Sequence, residues 1–196
     1  MQRIVRLLAA AACSFSLFTV SGQLNPTVTG DTMLCPEGTG TLTTQQFDSY
    51  QWLVRYYGAP DTNPIAGATS QSLVIDYSTY AASYLSVVVT SGAQTDTSAE
   101  FFVDGWVFAG MTVMSDGNFT IGQNGESIIC PGDSMLFIVN APYGTNTQWY
   151  ESGNPIQGAT NPTLVVTDPG TYTVTSAPGA CPNFISSPGV DLVVDN

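Results

Sequence analysis

The side chains able to do chemistry in this 196-residue sequence form a restricted set: fifteen carboxylates, nine tyrosines, four cysteines and three arginines, with neither histidine nor lysine. Without imidazole or amine groups the chain lacks the usual general base, Schiff-base nucleophile and phosphate cradle. No Gly-x-Ser-x-Gly elbow is present either. No Cys-x-x-Cys pair offers a zinc site, and Asp116-Gly117-Asn118 lacks the further carboxylates of a calcium loop. Paired carboxylates for glycoside hydrolysis are the one catalytic arrangement the composition leaves open, and small β domains provide no obvious deep cleft to hold them. The expectation is a non-enzyme with no cofactor and no metal.

The cysteines are read through their compartment. Arg3 and Arg6 followed by an apolar run from Leu7 to Val20 and the small residues Ser21-Gly22 make residues 1–22 a secretory signal, so the mature chain starts near Gln23. An alternative lipoprotein reading, with Cys13 acylated, fits less well because Ala10 stands where such signals carry leucine and the apolar run continues past Cys13. With Cys13 gone, Cys35, Cys130 and Cys181 remain in an oxidising compartment. Cys130 and Cys181 fall within one repeat and are the expected disulfide. Cys35 is left over, as a buried free thiol or one end of an intermolecular bridge. The mature chain keeps Arg55 alone against fifteen carboxylates, a formal charge of −14. Nucleic acid is thereby excluded as a partner, an anionic membrane surface would repel the chain, and no transmembrane segment is expected after the signal.

What positions these groups is a duplication. Asn63-Pro64-Ile65-Ala66-Gly67-Ala68-Thr69 returns as Asn154-Pro155-Ile156-Gln157-Gly158-Ala159-Thr160. Each copy is preceded by a Cys-Pro turn (Cys35-Pro36, Cys130-Pro131) and a Gln-Trp pair (Gln51-Trp52, Gln148-Trp149), and followed by an apolar run (Leu73 to Ile75, Leu164 to Val166). Short β-branched and aromatic runs between Gly, Pro, Asn and Asp, with no helical periodicity, predict an all-β chain. Each copy has the length of one antiparallel sandwich. The expected organisation is a first domain over 23–108 and a second over 109–196, joined by a short linker as a rigid tandem. Trp52 and Trp149 are expected in the cores. Asp168-Pro169-Gly170-Thr171-Tyr172 has the form of a tyrosine corner, with the Tyr172 ring buried and its hydroxyl bonded back to the chain. The first copy has Ala82-Ser83-Tyr84 in that place, a weaker corner.

The first copy also carries an insertion, Val54 to Thr62, containing Tyr56 and Tyr57 beside Arg55. Tyr56, Tyr57 and Trp106 are the candidate ligand-binding residues, as rings that could stack on sugar faces. Asp31-Thr32-Met33 and Asp133-Ser134-Met135 resemble Asp-Ser/Thr-apolar O-glycan acceptors, making Thr32 and Ser134 candidate modification sites. Asn118-Phe119-Thr120 matches the eukaryotic N-glycan acceptor.

The order Cys-Pro-Gly-Asp-Ser, Gln-Trp-Tyr, Gly-x-x-Ile-x-Gly-Ala-Thr, a Leu-Val-Val strand, Gly-x-Tyr-x-Val and a late Cys resembles the bacterial immunoglobulin-like repeats of secreted, gliding-associated and adhesin-like surface proteins. That resemblance covers nearly all of the second copy and about two thirds of the first. It implies tandem immunoglobulin-like antiparallel β-sandwiches in a secreted or cell-surface setting, as modules of longer chains or free-standing. The expected function is adhesion, spacing or structural presentation toward a cell-surface protein or polysaccharide, with a carbohydrate-binding module built on the aromatic residues of the first domain as the alternative.

Overall fold

A computed structural model describes residues 23–115, 117 and 119–195. The expected signal, residues 1–22, lies outside the described residues, as do Asp116 and Asn118 of the Asp-Gly-Asn turn and the N-glycan motif.

The first half contains β1 (Thr29–Gly30), β2 (Met33–Leu34), β3 (Thr39–Thr43), β4 (Ser49–Tyr56), β5 (Asn63–Pro64), β6 (Ser72–Asp76), the single helical turn α1 (Tyr77–Tyr80), β7 (Ser83–Ser91), β8 (Gln94–Thr97) and β9 (Phe101–Gly105). One sheet has the order β1-β3-β6, the other β2-β9-β7-β4-β5, with β8 paired to β7. The second half contains β10 (Met111–Ser115), β11 (Phe119–Ile121), β12 (Ser127–Ile129), β13 (Met135–Val139), β14 (Tyr143–Glu151), β15 (Asn154–Pro155), β16 (Thr163–Val166), β17 (Gly170–Pro178) and β18 (Leu192–Asp195). Its sheets run β10-β13-β16 and β11-β12-β18-β17-β14-β15. In each half an early short strand lies parallel to the last one, β2 beside β9 and β12 beside β18. This is immunoglobulin-like topology, written twice, and the all-β expectation is met.

Alternation along the strands builds each core. In β3 and β6 Leu42, Leu73 and Ile75 turn inward and meet Trp52, Leu85, Val87, Val89 and Val103 of the opposite sheet. The second core sets Phe137 and Val139 against Trp149, Tyr172 and Val174. Both central indoles are fully buried, and each donates its ring N–H to a backbone carbonyl, Trp52 to Ser70 and Trp149 to Asn161, both at 2.9 Å. A buried indole donor left unpaired would be costly; these are not.

The repeated heptapeptide is a clamp on the Trp strand. Ile65 N–H bonds to Trp52 O at 2.9 Å and Trp52 N–H to Ala68 O at 3.0 Å; Ile156, Trp149 and Ala159 repeat this at 2.9 and 3.0 Å. The amide nitrogen of Gln51 donates to the carbonyls of Trp52 and Ile65, and that of Gln148 to those of Trp149 and Ile156. Gly67 and Gly158 sit at φ 75° and 78°, a left-handed conformation that explains the glycine in both copies.

Register accounts for two local details. Ser98 takes the place of a ladder residue opposite Val87, its hydroxyl accepting from Val87 N–H at 3.0 Å while its own N–H donates to Val87 O. That interruption separates β8 from β9. The tyrosine corner forms in the second half, where Tyr172 OH donates to Asp168 O at 3.0 Å. In the first half it is replaced rather than weakened. Trp149 pairs with Val174 and Trp52 with Val87, so the position equivalent to Tyr172 is Leu85, fully buried. Tyr84 is one residue off and therefore faces the other side of the sheet.

Candidate functional site

Strand register assembles a continuous group on the outer face of the first sandwich. Arg55 of β4 pairs with Tyr84 of β7, which pairs with Phe102 of β9. The Arg55 guanidinium lies 4.1 Å from the Tyr84 ring centroid, and Tyr84 and Phe102 are 4.8 Å apart. Arg55 also makes a two-pronged pair with Glu100, Nε to Oε1 at 2.7 Å and Nη2 to Oε2 at 2.5 Å. The pairing holds the Glu100 carboxyl below the usual carboxylate range, and the same hydrogen bonds raise the arginine. Tyr57 closes the group: its ring is 6.5 Å from Phe102 at an interplanar angle of 57°, and 71% of the residue is exposed.

The three candidate ring residues part company. Tyr57 belongs to this face. Tyr56 points to the opposite side of the strand, with the parity of Trp52 and Val54, and is exposed beyond the end of the core. The nearby Tyr80 phenol is raised chiefly by its own burial and then by Tyr56. Trp106 lies apart from this face. It is half-buried against the core of the second sandwich, edge-on to Tyr143 at 6.0 Å and 90°. Its backbone nitrogen bonds to Leu34 O at 3.1 Å and its carbonyl accepts from Tyr77 OH at 3.2 Å. Burial raises the Tyr143 phenol above its ordinary value. Ring type alone grouped Trp106 with Tyr56 and Tyr57; its place just after β9, where the chain enters the second half, sets it apart from them. Tyr84, Phe102 and Glu100 escaped the sequence reading because only the pairing register brings them to Arg55.

The cysteine assignment is also corrected. The disulfide joins Cys35 to Cys181, with Cα atoms 5.6 Å apart at a sequence separation of 146, and among the described cysteines Cys130 is free and exposed. The parallel strands give the reason. Ile128 pairs with Asp195, so Cys130 lies at the C-terminal end of β18, whereas Cys181 follows β17 at the other end of that sheet. β17 spans nine residues, about 30 Å at the rise of a strand, and a disulfide needs Cα atoms within about 7 Å. Leu34 pairs with Gly105 in the same way, which puts Cys35 at the end of the first sandwich from which the chain passes into the second. There it meets Cys181.

This joint has further contacts. Ala109 is fully buried in the second core, Asn140 N–H bonds to Gly110 O at 2.9 Å, and Ser186 Oγ donates to Val107 O at 3.3 Å. A shallow cleft of about 660 Å³ opens beside the disulfide, with Pro36, Glu37, Pro182, Asn183, Phe184 and Ile185 on its walls. It places no nucleophile beside a base. Among the described residues no three His, Cys, Asp or Glu side chains converge as metal ligands, and no helix is long and apolar enough to cross a membrane. Of the two O-glycan candidates, Thr32 is exposed on the short connection before β2, and Ser134 is half-buried with its carbonyl accepting from Ser115 Oγ.

No protein-family model matches the chain, and no curated protein matches it. Among solved structures it is similar to crystal structures of the N-terminal four Ig domains of Dscam1. For isoform 6.9 the identity is 14% over 89% of this chain and 46% of that one, with a TM-score of 0.35. For isoform 9.44 it is 14% over 87% and 45%, with a TM-score of 0.36. The chain thus spans about half the length of these structures. The assignment of fold rests on its own sheet order and register.

Proposed function

We propose that this chain is an exported, non-catalytic surface or extracellular module, divided near Phe108, whose two sandwiches act as one stiff unit in adhesion, spacing or structural presentation. The observation that carries this reading is the Cys35–Cys181 bridge between the two halves. A bridge of that kind persists in an oxidising compartment, and a pair of freely flexing domains has no use for it. Trp106 and Ala109, packed into the second core, work in the same direction by removing the slack from the connection. With no histidine or lysine, and with Arg55 already paired to Glu100, the surface is suited to presentation rather than to acid–base chemistry. The partner class is a cell-surface protein or polysaccharide.

Small-angle X-ray scattering tests the mechanical claim. The oxidised protein is expected to scatter as a single rigid particle, and a Cys35→Ser/Cys181→Ser/Trp106→Ala variant to give a broadened distance distribution. Equal breadth in the two would sink the rigid-unit reading. Export is read from the N-terminus of protein recovered outside the cell, expected at Gln23.

A further inference from the structure

The outer face of the first sandwich carries a feature that the fold does not require, as comparison of the two halves at equivalent register makes plain. Arg55–Tyr84–Phe102 is a row across three paired strands. Counting from the paired tryptophans, the equivalent row in the second half is Ser152–Thr171–Val193, with Ser152 N–H on Thr171 O at 2.7 Å and Thr171 opposite Val193. Small residues therefore satisfy the same backbone at the same place. The hairpin beside the row differs too. In the second half Ser152 and Gly153, at φ 50° and 79°, close it in two residues. In the first half β4 ends at Tyr56 and β5 begins at Asn63, so six residues intervene, and Tyr57 at their start lies over the row.

We infer that Tyr57 and Phe102, flanked by the Arg55–Glu100 pair, form a binding site for a neutral glycan. Two rings set at 57° offer an apolar corner for the C–H face of a pyranose. Beside it the guanidinium and carboxylate offer donors and acceptors already held in place by each other, as hydroxyls demand. Charge selects among ligands. The one arginine beyond the expected signal is neutralised by Glu100, and the chain around it is strongly acidic, so an anionic polymer is repelled. Area selects as well. Two partly exposed rings present at most about 300 Å², well below the ~800 Å² per partner of a stable protein interface but matched to one or two sugar rings. The second half, with Ser, Thr and Val in these positions, has no such site.

Isothermal titration of the purified protein with cellohexaose, mannohexaose and chitohexaose, with oligogalacturonate as the anionic control, tests the site. Saturable binding of at least one neutral hexaose is expected, weakened about tenfold or more by Tyr57→Ala and by Tyr57→Ala/Phe102→Ala, the gain from one aromatic contact being of that order. A Phe119→Ala/Ile121→Ala variant, altered at exposed apolar residues of the other half, is expected to bind as the parent does. Tyr57 lies on an exposed loop, so its removal leaves the core intact. The inference is overturned if none of the neutral hexaoses binds, if oligogalacturonate alone binds, or if binding survives the double variant. Scattering from a rigid particle is independent of each of these outcomes.

Discussion

Cys35 and Cys130 stand in equivalent turns of the two copies. Gly38 N–H closes the first turn on Cys35 O at 2.8 Å, and Asp133 N–H closes the second on Cys130 O at 3.0 Å. One is nevertheless bonded to Cys181 and the other exposed and free. The difference lies in what each turn faces, not in its own chemistry. Alkylating the unreduced, unfolded protein should therefore label one thiol in the chain from Gln23 onward, in the peptide containing Cys130, with the Cys35 and Cys181 peptides recovered as a linked pair. A label on Cys35 would contradict the structure. The tryptophans show the same dependence on surroundings: Trp52 and Trp149 are central core residues with paired ring nitrogens, while Trp106 is a peg between the halves whose Nε1 has no protein partner.

At the level of elements, the two halves share their clamps and differ in their connections. Where the second half has its tyrosine corner, the first inserts α1, held by Asp76, whose Oδ1 accepts from Ser78 Oγ at 2.6 Å and Thr79 N–H at 2.9 Å. Those bonds, Ser78 first, lower the Asp76 pKa. A carboxyl whose folded pKa lies below its unfolded one contributes stability above the unfolded value, and that contribution disappears as pH falls through the folded value. The thermal midpoint of the parent should thus fall more steeply between neutral pH and pH about 3 than that of Asp76→Asn, which keeps a capping oxygen but does not titrate. Parallel curves would show that the cap contributes nothing to acid sensitivity. The helical turn also explains two aromatic residues that composition left unplaced: Tyr77 lies over Gly105 and bonds to Trp106 O, and Tyr80 packs on the first core.

On the scale of the molecule, the bridge closes a loop of 146 residues, which in the chain-entropy model stabilises the folded protein by about 5 kcal/mol. Guanidinium unfolding of Cys35→Ser/Cys181→Ser should reveal a loss approaching that figure, and a loss under about 1 kcal/mol would show that the two halves are stable without it. Much of this architecture was legible along the chain. Two-residue alternation, turn chemistry and the repeated heptapeptide are local signals, so the duplication, the sandwiches, the buried Trp52 and Trp149 and the corner at Tyr172 followed from them. The partner of Cys35, the destination of Trp106 and the Arg55–Tyr84–Phe102 row did not. Each depends on which strand ends coincide across long stretches of chain, and residue spacing does not record that. The parallel pairing of β2 with β9 carries Cys35 to the joint, and one step of register between the copies turns Tyr84 outward to meet arginine instead of inward to make a corner.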